Sequence, residues 1–81
     1  MLKTIHLQYY AALREERGLS KETFETSAQN GQELYLELKK KYNFKLPIEL
    51  VKVAINDEFC GLDKEIKSGD LVIFIPPVAG G

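Results

Sequence analysis

The chain has one cysteine, one histidine, one methionine and no tryptophan among its 81 residues. With Cys60 alone, no internal disulfide can form, which fits a reducing cytoplasm. With His6 alone, a Ser–His–Asp or Cys–His constellation would have to rest on one residue of an alternating, strand-like segment. No cysteine or histidine spacing suits a metal site, so none is expected. The only paired glycines, Gly80 and Gly81, close the sequence, so no glycine-rich phosphate loop is present. No apolar run approaches the roughly 20 residues of a membrane helix. Met1-Leu2-Lys3-Thr4 does not open a continuous apolar stretch, so no signal peptide is expected. An excess of one charge is also missing. The formal net charge is −1, which gives no reason to expect a nucleic-acid partner. The one basic cluster, Lys39-Lys40-Lys41, lies where a helix would end and where its dipole favours cations. These absences lead to an expectation of a soluble cytoplasmic protein with neither membrane nor nucleic acid as a partner.

What is present suits one small folded domain. Hydrophobic residues make up 44% and charged residues 28% of the chain, enough for a thin core under a polar surface. Leu2 to Tyr9 alternates, with Ile5, Leu7 and Tyr9 on one face and His6 and Gln8 on the other, the period of a half-buried strand. Tyr10 to Arg17 is rich in helix formers and is stopped by Gly18. Glu22 to Thr26 is a short, weaker strand candidate around Phe24. Asn30 to Tyr42 reads as the main helix. Asn30 can cap it, Glu33 follows at capping-box spacing, and Leu34, Tyr35, Leu38 and Tyr42 make an apolar stripe. Asn43 and Pro47 stop it. Val51, Val53 and Ile55 alternate again, Asn56-Asp57 turns the chain, and Glu58-Phe59-Cys60 returns as a strand. After the Ser68-Gly69-Asp70 turn, Leu71 to Ile75 is continuously apolar, as in a central strand.

This order predicts an α+β domain with one main helix on one face of a small mixed sheet, the arrangement of the ubiquitin-like β-grasp. One helix covers one face. In the last strand Val72 and Phe74 oppose Leu71, Ile73 and Ile75, and both sets are apolar. One set therefore either lies on an uncovered face that marks a protein partner, or is roofed by the Ala11–Arg17 helix or a loop. Tyr10, following an inward Tyr9, and Ile75, out of phase with Phe74, are expected on the uncovered face.

The most informative stretch is the end, Pro76-Pro77-Val78-Ala79-Gly80-Gly81. We divide the chain into a domain over 1–75 and a flexible tail over 76–81. Two prolines after a buried strand direct the tail away in a stiff, extended form, and its last residues carry no side chain. At average glycine usage a terminal pair arises by chance in roughly 0.5% of chains. A terminal carboxylate becomes an electrophile when ATP converts it to an acyl-adenylate, and a sulfur donor can then displace the nucleotide to leave a thiocarboxylate. Glycine lets an enzyme's backbone close on such a tail.

Tyr9-Tyr10-Ala11-Ala12-Leu13-Arg14-Glu15, Val53-Ala54-Ile55-Asn56-Asp57-Glu58 and the run from Ser68 to Gly81 together resemble the sulfur-carrier subunits of molybdopterin synthase. That resemblance implies that Gly81 is adenylated by an enzyme related to ubiquitin-activating enzymes, converted to a thiocarboxylate, and presented to the large synthase subunit. There it gives sulfur to cyclic pyranopterin monophosphate in a heterotetramer of two small and two large subunits. It implies a non-catalytic sulfur donor with no bound cofactor, ATP being consumed by the activating enzyme. It adds Phe59 to Tyr10 and Ile75 as partner-binding residues. A sulfur carrier for thiamine or another thiolated product, a ubiquitin-like protein modifier, and an inert interaction domain are the alternatives.

Overall fold

The alternation at the start folds as a strand, β1 (Lys3–Tyr9), whose Ile5, Leu7 and Tyr9 are fully buried while Thr4 and His6 are exposed. The structure, a computed structural model, describes residues 2–77. A short helix, α1 (Ala11–Arg17), follows and ends at Gly18, whose φ of 87° is the left-handed conformation that glycine adopts without steric cost. β2 (Lys21–Thr26) then pairs antiparallel with β1 along its whole length.

The main helix, α2 (Gly31–Tyr42), begins where Asn30 Oδ1 accepts a hydrogen bond from the Glu33 amide at 2.9 Å. The reciprocal half of the capping box is displaced by one residue: Glu33 Oε1 accepts from the Gln29 amide, not from Asn30. Leu34, Tyr35 and Leu38 are fully buried. Asn43, at φ 62°, closes the helix. Lys39 does more than complement the dipole. Its Nζ donates to the Phe44 carbonyl at 2.7 Å and tethers the chain leaving the helix.

A 3-10 turn over Ile48–Leu50 leads into β3 (Lys52–Ile55), then β4 (Glu58–Cys60), and finally β5 (Leu71–Ile75). The sheet order is β2-β1-β5-β3-β4, with β1 and β5 parallel and the other neighbours antiparallel. β5 is thus central, as its apolar run predicts, with Val72, Ile73 and Phe74 buried and its two end residues half-buried. The core lies between α2 and the sheet face carrying Leu7, Tyr9, Val53, Val72 and Phe74. None of the described helices is long and apolar enough to cross a membrane.

Candidate functional site: the uncovered sheet face and the root of the tail

Cross-strand register assigns the other face. Gln8 lies opposite Ile73, Ile73 opposite Ala54, and Ala54 opposite Phe59. These four side chains therefore form one row on the side away from the core. Ile75 and Lys52 form the next row. The set left outside is therefore Leu71, Ile73 and Ile75. α1 does not roof it: Leu13 is fully buried in the core cluster, and the helix plugs the end of the core.

Tyr10 sits where β1 passes into α1. It is 42% exposed, and its hydroxyl accepts from Gln8 Nε2 at 2.8 Å, which holds it over the outer face. Tyr10, Ala11, Glu15, Ile75 and Pro77 line an open hollow of about 420 Å³ at the root of the tail. The turn that shapes it includes Ala11 at φ 50°, a left-handed conformation uncommon for alanine. Pro76 is buried at this root and Pro77 is exposed.

Of the three residues expected to meet a partner, Tyr10 and Ile75 meet at this hollow. Phe59 shares their face but stands apart. It is 72% exposed on β4. Two strand spacings, about 10 Å, separate β4 from β5. Phe59 borders a second hollow of about 450 Å³ with Lys52, Cys60 and Leu62. Its outward aim comes from the β3–β4 turn, where Asn56 and Asp57 take φ values of 53° and 69°, as a two-residue type I′ hairpin requires. Asn56 also ties that turn to the start of β5: its Oδ1 accepts from the Leu71 amide at 3.0 Å and its Nδ2 donates to Asp70 Oδ1 at 2.9 Å. Val78, Ala79, Gly80 and Gly81 lie outside the described residues.

Reasoning from sequence missed Gln8, which positions Tyr10, and Lys52, which flanks Ile75. The signal for Gln8 was available: a polar residue two positions before Tyr10 on the same strand face.

On the core side of the sheet a polar clip fastens α1 to β2. Glu22 accepts from the Tyr9 hydroxyl at 2.7 Å and from Arg17 Nε and Nη2, each at 2.9 Å. Burial acts to raise the Glu22 pKa, but the bonds from Arg17 and Tyr9 outweigh it and leave the carboxyl below its ordinary value. Burial and the Glu22 bond push the Tyr9 phenol upward, so it stays a donor. Burial, with Glu16 nearby, pushes Tyr35 up to about 12, and its hydroxyl donates to the Leu46 carbonyl. These groups are satisfied structural members. His6 is exposed on the outer face, and Cys60 is half-buried at the sheet edge with its Sγ 4.0 Å from the Val53 carbonyl oxygen. No group of three metal-ligating side chains occurs among the described residues. The described residues offer an apolar surface and the root of a tail.

The model of the ThiS family matches residues 7–81. The chain belongs to the ThiS family. With it comes the fold expected from element order, the ubiquitin-like β-grasp of the sulfur carriers. Among solved structures this ThiS-family chain is similar to a Pyrococcus furiosus protein assigned as molybdopterin converting factor subunit 1 (28% identity, TM-score 0.78, covering 94% of this chain and 99% of the other). It is also similar to the complex of subunits 1 and 2 of the Helicobacter pylori molybdopterin-converting factor (26% identity, TM-score 0.63, covering 96% and 99%). The small archaeal modifier protein 1 of Methanosarcina acetivorans shares the fold at 22% identity (TM-score 0.77, covering 100% and 99%). No curated protein matches the chain significantly.

Proposed function

We propose that this ThiS-family chain is the sulfur-carrier subunit of a cytoplasmic molybdopterin synthase and works through Gly81. One observation carries the reading: Tyr10 and Ile75 present apolar surface directly at the root of a Pro-Pro-Val-Ala-Gly-Gly tail. The likeness to molybdopterin converting factor proteins, at 28% and 26% identity, supports this pathway. In the reaction, the Gly81 carboxylate attacks the α-phosphorus of ATP on an activating enzyme and releases pyrophosphate. A sulfur donor then displaces AMP from the acyl-adenylate and leaves the thiocarboxylate. The charged carrier docks through Tyr10, Ile75 and Phe59 on the large subunit of a heterotetramer. It yields its sulfur to cyclic pyranopterin monophosphate, and water returns Gly81 to the carboxylate. The residues of this chain supply docking, reach and a slim tip. The large subunit supplies the acid–base groups.

The test is intact mass spectrometry of the protein from its host, followed by transfer from the charged carrier to the pterin precursor with the large subunit. A sulfur-for-oxygen replacement at Gly81 and formation of the dithiolene are expected. Lysine conjugates would indicate a modifier instead. A variant extended by one residue beyond Gly81 makes the reacting carbon an internal amide and should be inactive. Full activity from it, with no protease present, would remove Gly81 as the carrier atom's site.

A further inference from the structure

We propose that the free edge of β2 pairs with the same edge of a second copy, joining two carriers through one continuous sheet. β2 is an end strand of the sheet. The Tyr9 amide donates to the Ser20 carbonyl at 2.9 Å, which makes Tyr9 and Ser20 a hydrogen-bonded pair of the β1–β2 ladder. Bonded and non-bonded pairs alternate in an antiparallel ladder. Gln8·Lys21, His6·Thr23 and Thr4·Glu25 are therefore the non-bonded pairs. β1 agrees: the His6 amide donates to the Asp70 carbonyl and the Thr4 carbonyl accepts from Gly69, both away from β2. The N–H and C=O groups of Lys21, Thr23 and Glu25 consequently point outward from the sheet edge.

The side chains favour one occupant. Lys21, Thr23 and Glu25 are exposed, and none of their side chains makes a hydrogen bond or ion pair among the described residues, where Arg17–Glu22 is the only salt bridge. Lysine on an edge strand ordinarily discourages pairing. Here a glutamate follows four residues later, so an antiparallel pairing centred on Thr23 sets Lys21 opposite Glu25 of the second copy, Thr23 opposite Thr23, and Glu25 opposite Lys21. The pairing that satisfies the outward backbone groups is the one that matches both charges. Opposite charges and threonine pairs are favourable cross-strand partners, and slipping the register by two residues breaks the charge match.

The two-fold axis of such a pair stands perpendicular to the sheet, so both uncovered faces lie on one side. β4, which bears Phe59, falls at each far end. The two β5 strands lie five strand spacings (about 24 Å) apart and run oppositely, so the tails leave in opposite directions. The pairing therefore leaves Tyr10, Ile75 and Phe59 free. It does not depend on what the tail carries. A short edge buries little surface, so the dimer is a weak one that forms at high protein concentration.

The test is sedimentation velocity on the full chain, up to about 1 mM protein, at low and high salt. The parent should show a monomer–dimer equilibrium that weakens with salt. Lys21→Glu and Glu25→Lys each place two like-charge pairs in the interface and should raise the dissociation constant at least about tenfold. The double variant K21E/E25K restores opposite pairs and should return to within about threefold of the parent. Thr23→Pro removes an N–H that the monomer leaves unused, so it should fold and remain monomeric. Circular dichroism verifies that each variant folds. A parent that stays monomeric throughout, single variants that dimerise like the parent, or a double variant no better than the singles would each overturn the proposal.

Discussion

Replacing Arg17 by alanine tests whether the clip between α1 and β2 is a structural joint. Arg17 donates twice to Glu22 at 2.9 Å, with side chains only 21% and 13% exposed, and its guanidinium lies 4.0 Å from the centre of the Tyr42 ring. A fully exposed pair would contribute about 0–1 kcal/mol. Charge-assisted bonds in a partly buried setting contribute about 1.5–3 kcal/mol, and the stacked cation adds about 0.5–1 kcal/mol. The substitution should therefore cost about 2–4 kcal/mol, and it leaves Glu22 with the Tyr9 hydroxyl as its remaining hydrogen-bond partner. The cost should depend on pH. Glu22 has a folded pKa below its unfolded value. The unfolded value is about 4.3, so the contribution of Glu22 is full above about pH 5 and is lost as pH falls through the folded value. Urea unfolding of parent and Arg17→Ala at pH 7 and pH 3 measures both effects. The cost at pH 3 should be smaller than at pH 7. A cost within about 0.5 kcal/mol at pH 7, typical of surface positions, or an equal cost at both pH values, would refute the assignment.

Leu38 is fully buried between α2 and the sheet. As alanine it should cost about 2–4 kcal/mol by chemical denaturation, whereas a value near zero would contradict the layer arrangement. Asn56 makes two side-chain bonds and holds a left-handed backbone. Asn56→Ala should therefore cost about 2 kcal/mol. Asn56→Gly should cost less, and equal losses would show that the backbone conformation contributes nothing. Phe59→Arg should leave the melting temperature unchanged and weaken binding to the large subunit by tenfold or more, read by calorimetry. Unchanged affinity would place the docking surface elsewhere.

The strands whose burial is one-sided were legible because their alternation is written in residues such as Ile5, Leu7 and Tyr9. α2 was legible from its cap and stripe, and β5 from its unbroken apolar run. β2 was weakly legible. Lys21, Glu22, Thr23 and Glu25 carry no apolar alternation, and only Phe24 and Thr26 are buried. That strand is fixed by pairing with β1 and not by its own propensity. The insertion of β5 between β1 and β3 could not be read, because that parallel pairing joins segments more than sixty residues apart. The 3-10 turn at Ile48–Leu50 was missed for lack of any periodic signal in three residues. Tyr10 and Ile75 could be placed outward from neighbours of known phase. Phe59 could not, since a three-residue strand has no phase of its own until the Asn56-Asp57 turn fixes its register.

The outer face is also uneven in what it can give a partner. Ile73 lies in its middle yet is only 7% exposed, because Gln8 and Ala54 flank it across the sheet. A docking protein gains little there. Phe59 exposes 72% of itself. A phenylalanine side chain offers about 200 Å² in all, so covering the exposed part removes roughly 140 Å² from water, or about 3.5 kcal/mol. Tyr10 is 42% exposed, and its hydroxyl is already bonded to Gln8. By the same reckoning it offers about 2 kcal/mol. By this reckoning Phe59, at the sheet edge two strands away from the tail root, offers a partner more apolar burial than Tyr10 does at the root. An anchor at that distance can hold the domain while the root hollow, lined by Ile75 and Pro77, only aims the tail. Under the proposed function, separating grip from aim in this way would let one carrier bind two different enzymes through the same aromatic edge and still deliver one reacting carbon to each.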